Sequence, residues 1–127
     1  MNKPRIGLVG VGLMGHGIAL NIARKGYALA VLEHPGNQPL DELRALGVTS
    51  AATVQALARQ VQVLILCVTG SPQVEAVLLG EQGALAALQP GTVVIDCSTA
   101  IPASTESVAR AVAAAGGRFL DAPMTRT

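Results

Sequence analysis

The sequence is short of aromatic rings, charge and cysteine. It has no Trp, one Tyr and one Phe in 127 residues, yet half of its residues are hydrophobic. An interior built almost without rings must be filled by Val, Leu, Ile and Ala. That suits a buried parallel sheet with Ala-rich helices packed closely on it. Only 13% of the residues are charged, the net charge is +1, and no basic run occurs. Nothing in that balance attracts a phosphate backbone, so no nucleic-acid partner is expected. Two cysteines, Cys67 and Cys97, are too few for a disulfide framework or a metal site. Each follows an apolar strand, so the pair reads as two reduced, half-buried thiols whose strand ends can lie near one another. No apolar run reaches the roughly 18 to 20 residues that span a bilayer. The opening Met1-Asn2-Lys3-Pro4-Arg5 has the outline of a signal peptide, but glycines at regular spacing break the apolar part behind it. The expectations are no membrane association, a cytoplasmic location and one domain with its own core.

The chain is rich in glycine instead, with 14 residues, and several fall in its first segment. A short apolar strand, Arg5 to Val9, runs into Gly10-Val11-Gly12-Leu13-Met14-Gly15. A helical pattern to Lys25 follows, then Gly26, a second apolar strand (Ala28 to Leu32) and an acid, Glu33. Strand, glycine turn, helix, strand and terminal acid in this order form the dinucleotide-binding fingerprint. Gly10 permits the tight turn out of the strand. Gly12 has no Cβ, so the backbone can approach a pyrophosphate. Gly15 lets the helix pack near the strand. Leu13 and Met14 stand where the helix begins, at about Met14, and there free N–H groups and the positive dipole end face the phosphates. Glu33 can accept hydrogen bonds from both hydroxyls of the adenosine ribose and would repel a 2′-phosphate, so NAD is expected over NADP. Gly17 serves close helix packing or is merely tolerated.

The rest of the chain alternates strands and helices. A turn-rich loop, 34–39, precedes a short helix, Leu40 to Leu46. Val48-Thr49 reads as a very short strand, and Ser50 as the cap of a helix covering Ala51 to Arg59. Val61 to Val68 is a nearly continuous apolar run, as a central parallel strand should be. Helices follow at Gln73 to Leu79 and Gly83 to Leu88, then a strand at Thr92 to Ile95. A helix at Pro102 to Ala115 ends at Gly116-Gly117, and Arg118 to Leu120 begins a sixth strand. This order implies an α/β fold, a right-handed, doubly wound parallel sheet of the Rossmann type. Its ligand would lie outside the carboxyl ends of the strands, near Gly10, Glu33, Val68, Thr69, Thr99 and Pro123.

Two stretches carry a family resemblance. One is Gly10 to Ile22, ending in Lys25-Gly26-Tyr27. The other is Asp96-Cys97-Ser98-Thr99-Ala100-Ile101-Pro102, followed by Gly116-Gly117-Arg118-Phe119-Leu120-Asp121-Ala122-Pro123. Together they resemble the β-hydroxyacid dehydrogenases, the group of 3-hydroxyisobutyrate dehydrogenase, tartronate semialdehyde reductase and 6-phosphogluconate dehydrogenase. The resemblance implies NAD(P)-dependent hydride transfer between a 3-hydroxy acid and its semialdehyde, with residues 1–127 as the cofactor-binding domain. It places Gly10 to Gly15 on the pyrophosphate, Glu33 on the ribose, Val68, Thr69 and Gln73 along the cofactor, and Thr99 against the nicotinamide end. Ser98 and Thr99 can equally cap the helix that begins near Pro102, and the two roles are compatible.

Two departures qualify the resemblance. After Asp-Ala-Pro the family usually continues Val-Ser-Gly-Gly, whereas this chain reads Met124-Thr125-Arg126-Thr127. Thr125 keeps a hydroxyl that can donate to a substrate carboxylate. Arg126 either binds that carboxylate bidentately or points to solvent. The family's all-helical second domain, which makes an oligomer and carries a catalytic lysine, has no counterpart in these residues, and the chain reads as truncated before it. Lys3 and Lys25 are the lysines present, and neither is expected at the strand ends. His16 and His34 are no better placed as a general base. The readings left open are a hydroxy-acid dehydrogenase, a non-catalytic nucleotide-binding module, and an imine or carbonyl reductase relative. A small hydroxy acid is the expected substrate, and a homo-oligomer the expected assembly.

Overall fold

The computed structural model describes residues 3–34, 37–80, 83–98 and 102–122. Its six strands are β1 (Ile6–Val9), β2 (Leu29–Leu32), β3 (Thr49–Ala51), β4 (Val63–Leu66), β5 (Val93–Asp96) and β6 (Arg118–Asp121). They form one parallel sheet in the order β3-β2-β1-β4-β5-β6. The chain starts in the middle of the sheet, builds outward one way to β3, then crosses back and builds the other way. This is the doubly wound topology, and it leaves a crevice where the strand order reverses, between β1 and β4. The helices are α1 (Leu13–Arg24), α2 (Asp41–Ala45), α3 (Val54–Arg59), α4 (Ser71–Leu79) and α5 (Pro102–Ala114), with a 3-10 helix at Ala84–Ala87.

Alternation along the strands divides the core into two layers. Val9, Ala30, Leu64, Leu66 and Val94 point to the side that meets α3, α4 and α5. Ile6, Leu8, Leu29, Val31 and Ile65 point to the other side, which meets α1 and α2. Because successive side chains face opposite ways, a sheet covered on both faces needs unbroken apolar runs. Leu8, Leu64, Leu66 and Leu57 are fully buried, each contributing about 1.5–3 kcal/mol of transfer free energy. On β6, Phe119 packs against the first layer, so Leu120 faces the second side, where it is 54% exposed.

The helix ends follow from local chemistry. Gly26 sits at φ +87°, and its N–H bonds Ala23 O at 3.1 Å, so α1 closes through a left-handed residue. Lys3 Nζ donates to Lys25 O at 2.7 Å and lies 4.9 Å from the Tyr27 ring centre. That cation complements the negative end of the helix dipole.

The sequence expectations hold for the order of elements and differ in detail. Ser50 is not a helix cap. It is the middle residue of β3, paired with Val31 of β2, and the helix begins at Val54, not Ala51. The cap is Thr53, in extended backbone, whose hydroxyl accepts from Ala56 N at 3.0 Å. The segment expected as a helix from Gly83 to Leu88 is one 3-10 turn. The long apolar run at 61–68 narrows to Val63–Leu66, although the ladder continues through Cys67 N to Val9 O at 2.8 Å. Gly17 does not mediate close packing: a Cβ there would meet nothing within 4 Å.

Candidate cofactor site

The carboxyl ends of β1, β2 and β4 surround a cavity of about 580 Å³. Its floor is the turn from β1 into α1. Gly10 has φ +100°, and a Cβ on it would lie 2.0 Å from Cys67 O, so no other residue allows the chain to turn there beside β4. Gly15 is equally constrained, since a Cβ on it would lie 1.8 Å from Gly10 O. Gly12 is different. It lines the cavity, and a Cβ there would meet no protein atom within 4 Å. Two glycines therefore shape the turn, and the third keeps space open in front of it.

That space faces the N-terminus of α1. Gly12 is the N-cap, no side chain caps the helix, and its first turn contains no acid. The first intrahelical bond is donated by His16 N to Gly12 O, at 2.8 Å. The N–H groups before it are left to bind whatever enters, and the positive end of the helix dipole favours an anion.

The walls come from β4 and its neighbours. Val68, Thr69 and Gln73 line the same cavity as Gly10, Gly12, Met14 and Gly15. Val68 is held by a brace that sequence reasoning missed. Ser98 Oγ accepts from Val68 N at 2.8 Å, while Asp96 Oδ1 accepts from Ser98 N at 2.8 Å. Asp96 and Ser98 are buried. The Ser98 hydroxyl thus joins the exits of β4 and β5. The Asp-x-Ser pattern, which favours a side-chain-to-backbone turn, was the available signal.

The far wall is the loop after β2. Asn37 Nδ2 donates to Leu32 O at 3.0 Å, and Gln38 N donates to Val11 O at 2.7 Å, which ties this loop to the glycine turn. His34 and Asn37 line the main cavity and also a second one of about 540 Å³ that contains Glu33 and Arg44. Glu33 thus lines the second cavity, which His34 and Asn37 share with the main one. Its N–H donates to Ala51 O at 2.9 Å, and its carboxylate Oε2 accepts from Ser50 Oγ at 3.0 Å.

Cys67 and Cys97 lie at the ends of the neighbouring strands β4 and β5, free and half-buried, in the same core layer. Burial, and then the Asp96 charge, push the Cys67 thiol above its ordinary pKa. Burial raises Cys97 as well, with added repulsion from Cys67 and Asp96. Both are weak nucleophiles at neutral pH.

The structure brings Gly10, Gly12, Met14, Gly15, Val68, Thr69 and Gln73 to one cavity, while Glu33 lines the second cavity and not this one; Leu13 is the first residue of α1. Thr99, Thr125 and Arg126 lie outside the described residues, so their expected roles rest on sequence alone. Among the described residues no group of three or more His, Cys, Asp or Glu could hold a metal ion, and no helix is long and apolar enough to cross a membrane.

Known proteins resemble this chain in sequence and fold. The chain is 36% identical to 2-hydroxy-3-oxopropionate reductase of Escherichia coli K12 across 95% of its own length and 41% of that protein's. It is 33% identical to NAD-dependent L-serine dehydrogenase of Pseudomonas aeruginosa, covering 95% of this chain and 40% of the other. The crystal structure described as 3-hydroxyisobutyrate dehydrogenase from Salmonella typhimurium superimposes with a TM-score of 0.87 at 31% identity, covering 98% of this chain and 43% of that one. The chain thus spans about two fifths of the length of the relatives it matches. Residues 5–127 fit the family profile described as the NAD binding domain of 6-phosphogluconate dehydrogenase, and the chain belongs to that family.

Proposed function

We propose that the protein binds NAD in the cavity above β1 and β4 and serves hydride transfer between the nicotinamide and a small hydroxy acid or its carbonyl counterpart. The observation that carries the reading is the uncapped N-terminus of α1 opening onto a cavity whose lip, Gly12, has no side chain to fill it. The donor set fits a dinucleotide. N–H groups at the start of α1 suit a pyrophosphate, and a carboxylate at the end of β2 suits a ribose diol.

The residues divide the work along the cofactor. Gly10, Gly12, Leu13, Met14 and Gly15 form the pyrophosphate cradle. Glu33 takes the adenosine ribose and, by its charge, disfavours a 2′-phosphate, so NAD is preferred over NADP. Val68, Thr69 and Gln73 line the middle of the groove, with Val68 fixed by Ser98. Thr99 is assigned to the nicotinamide end, and Thr125 and Arg126 to the substrate carboxylate, by resemblance. Bound NAD supplies the hydride acceptor. The protein's own part is to bind, orient and keep the dinucleotide extended across the strand ends. Within residues 1–127 proton transfer falls to neither lysine: Lys3 is engaged at the opposite end of α1, and Lys25 follows that helix.

The names of the relatives support small hydroxy acids as the substrate class. The test is a titration with NADH, followed by an NAD-linked assay over a panel of small 3-hydroxy acids and their semialdehydes. Saturable NADH binding without turnover is the expected result for residues 1–127, and turnover of a panel member is expected once they are joined to the family's helical domain. No NADH binding would remove the reading. Binding without turnover in that longer protein would favour a non-catalytic nucleotide-binding module.

A further inference from the structure

We propose that Ser50 is a positioning residue for cofactor selection, holding the Glu33 carboxylate in the orientation that receives the adenosine ribose. The inference rests on the proposed NAD reading and adds a residue to it. Glu33 is exposed and lies just past the end of β2, so its side chain would otherwise sample many rotamers. Two contacts from β3 remove that freedom. The backbone is fixed by Glu33 N to Ala51 O at 2.9 Å. The carboxylate is fixed by Ser50 Oγ, which donates its hydrogen to Oε2 at 3.0 Å.

The placement of Ser50 follows from the sheet. It pairs with Val31 in the parallel ladder. The contact therefore crosses from the edge strand to a residue just past the end of β2, joining groups 17 positions apart in sequence. Oε1, and the remaining lone pairs of Oε2, stay available to accept from a ribose diol. The carboxylate charge, held at that position, opposes a 2′-phosphate. One contact thus serves both affinity for NADH and rejection of NADPH.

A pair of variants isolates the hydroxyl. Ser50→Thr keeps it, and Ser50→Val removes it. Both are β-branched and suit a strand equally. Dissociation constants for NADH, NADPH and ADP-ribose, with the melting temperature, are measured for the wild type and both variants. Ser50→Val is expected to weaken NADH and ADP-ribose by about two- to tenfold, the scale of leaving one long side chain to be ordered on binding. NADPH should change less, so the NADH preference narrows. Ser50→Thr should restore wild-type values, and melting temperatures should agree between the variants. Equal NADH affinity in Ser50→Val and Ser50→Thr would overturn the proposal. So would parallel losses for NADH and NADPH accompanied by a fall in melting temperature, which would mark a structural role only. Wild-type protein that fails to bind NADH would instead sink the cofactor reading itself, and this inference with it.

Discussion

Two alanine substitutions three residues apart should have opposite effects. In Gly15→Ala the new Cβ would lie 1.8 Å from Gly10 O, where ordinary contact begins near 3.4 Å. The obstacle is backbone, so α1 must retreat from the glycine turn by more than about 1 Å. Overpacking on that scale costs about 1–3 kcal/mol, or roughly 4–15 °C in melting temperature for a domain of this size. In Gly12→Ala the Cβ meets no protein atom within 4 Å. Its φ of −75° and ψ of −161° are open to alanine. Losing Gly as N-cap costs a few tenths to about 1 kcal/mol, and reduced freedom of the unfolded chain returns about 0.4–1 kcal/mol. The melting temperature should therefore stay within a few degrees of wild type. The methyl group nonetheless occupies the space a pyrophosphate needs, and NADH affinity should fall at least about tenfold. Thermal unfolding and NADH fluorescence titration on the two variants decide the matter. A Gly12→Ala protein that binds NADH like wild type would refute the assignment of the cavity. A Gly15→Ala protein with unchanged melting temperature would refute the packing argument.

Other expectations are narrower. Glu33→Gln should weaken NADH several-fold and bring the NADH and NADPH dissociation constants closer together, because the repelling charge is gone; equal constants in the wild type would contradict the role given to Glu33. Thr53→Ala removes the α3 cap bonded to Ala56 N and should cost about 1 kcal/mol in urea unfolding, with no change in NADH affinity. The folded thiols of Cys67 and Cys97 titrate above their ordinary value. Their contribution is therefore fully present below the unfolded thiol pKa of about 8.5 and is lost as pH rises through the folded values. Melting temperature should drop more steeply above about pH 8.5 in the wild type than in a Cys67→Ser, Cys97→Ser double variant; superimposable profiles would show that burial of the thiols has no such effect.

Much of this architecture was legible because it depends on patterns that allow few alternatives. Gly10 and Gly15 announce a turn that no other residues can make, Gly12 announces the open space in front of it, and unbroken apolar runs announce strands covered on both faces. The parts that were hidden depend on partners distant in sequence. Ser50 reads locally as a helix cap, since Ser followed by an Ala-rich segment is a good helix start. Pairing of β3 with β2 drew it into the sheet instead, and Thr53 took the cap. The brace from Asp96 through Ser98 to Val68 joins residues 30 positions apart at its longer step. The tie from Gln38 N to Val11 O is likewise a backbone contact with no side-chain signature. Glu33 was identified by its place after the second strand, but its hydroxyl partner became visible only once the strand order was known.

The measurement that bears most directly on the account is a crystal structure of the protein with NADH. The account predicts the pyrophosphate on the backbone N–H groups at the start of α1, and the adenosine ribose hydroxyls on Glu33, with Ser50 still donating to that carboxylate. NADH bound elsewhere, or a ribose that bypasses Glu33, would contradict it.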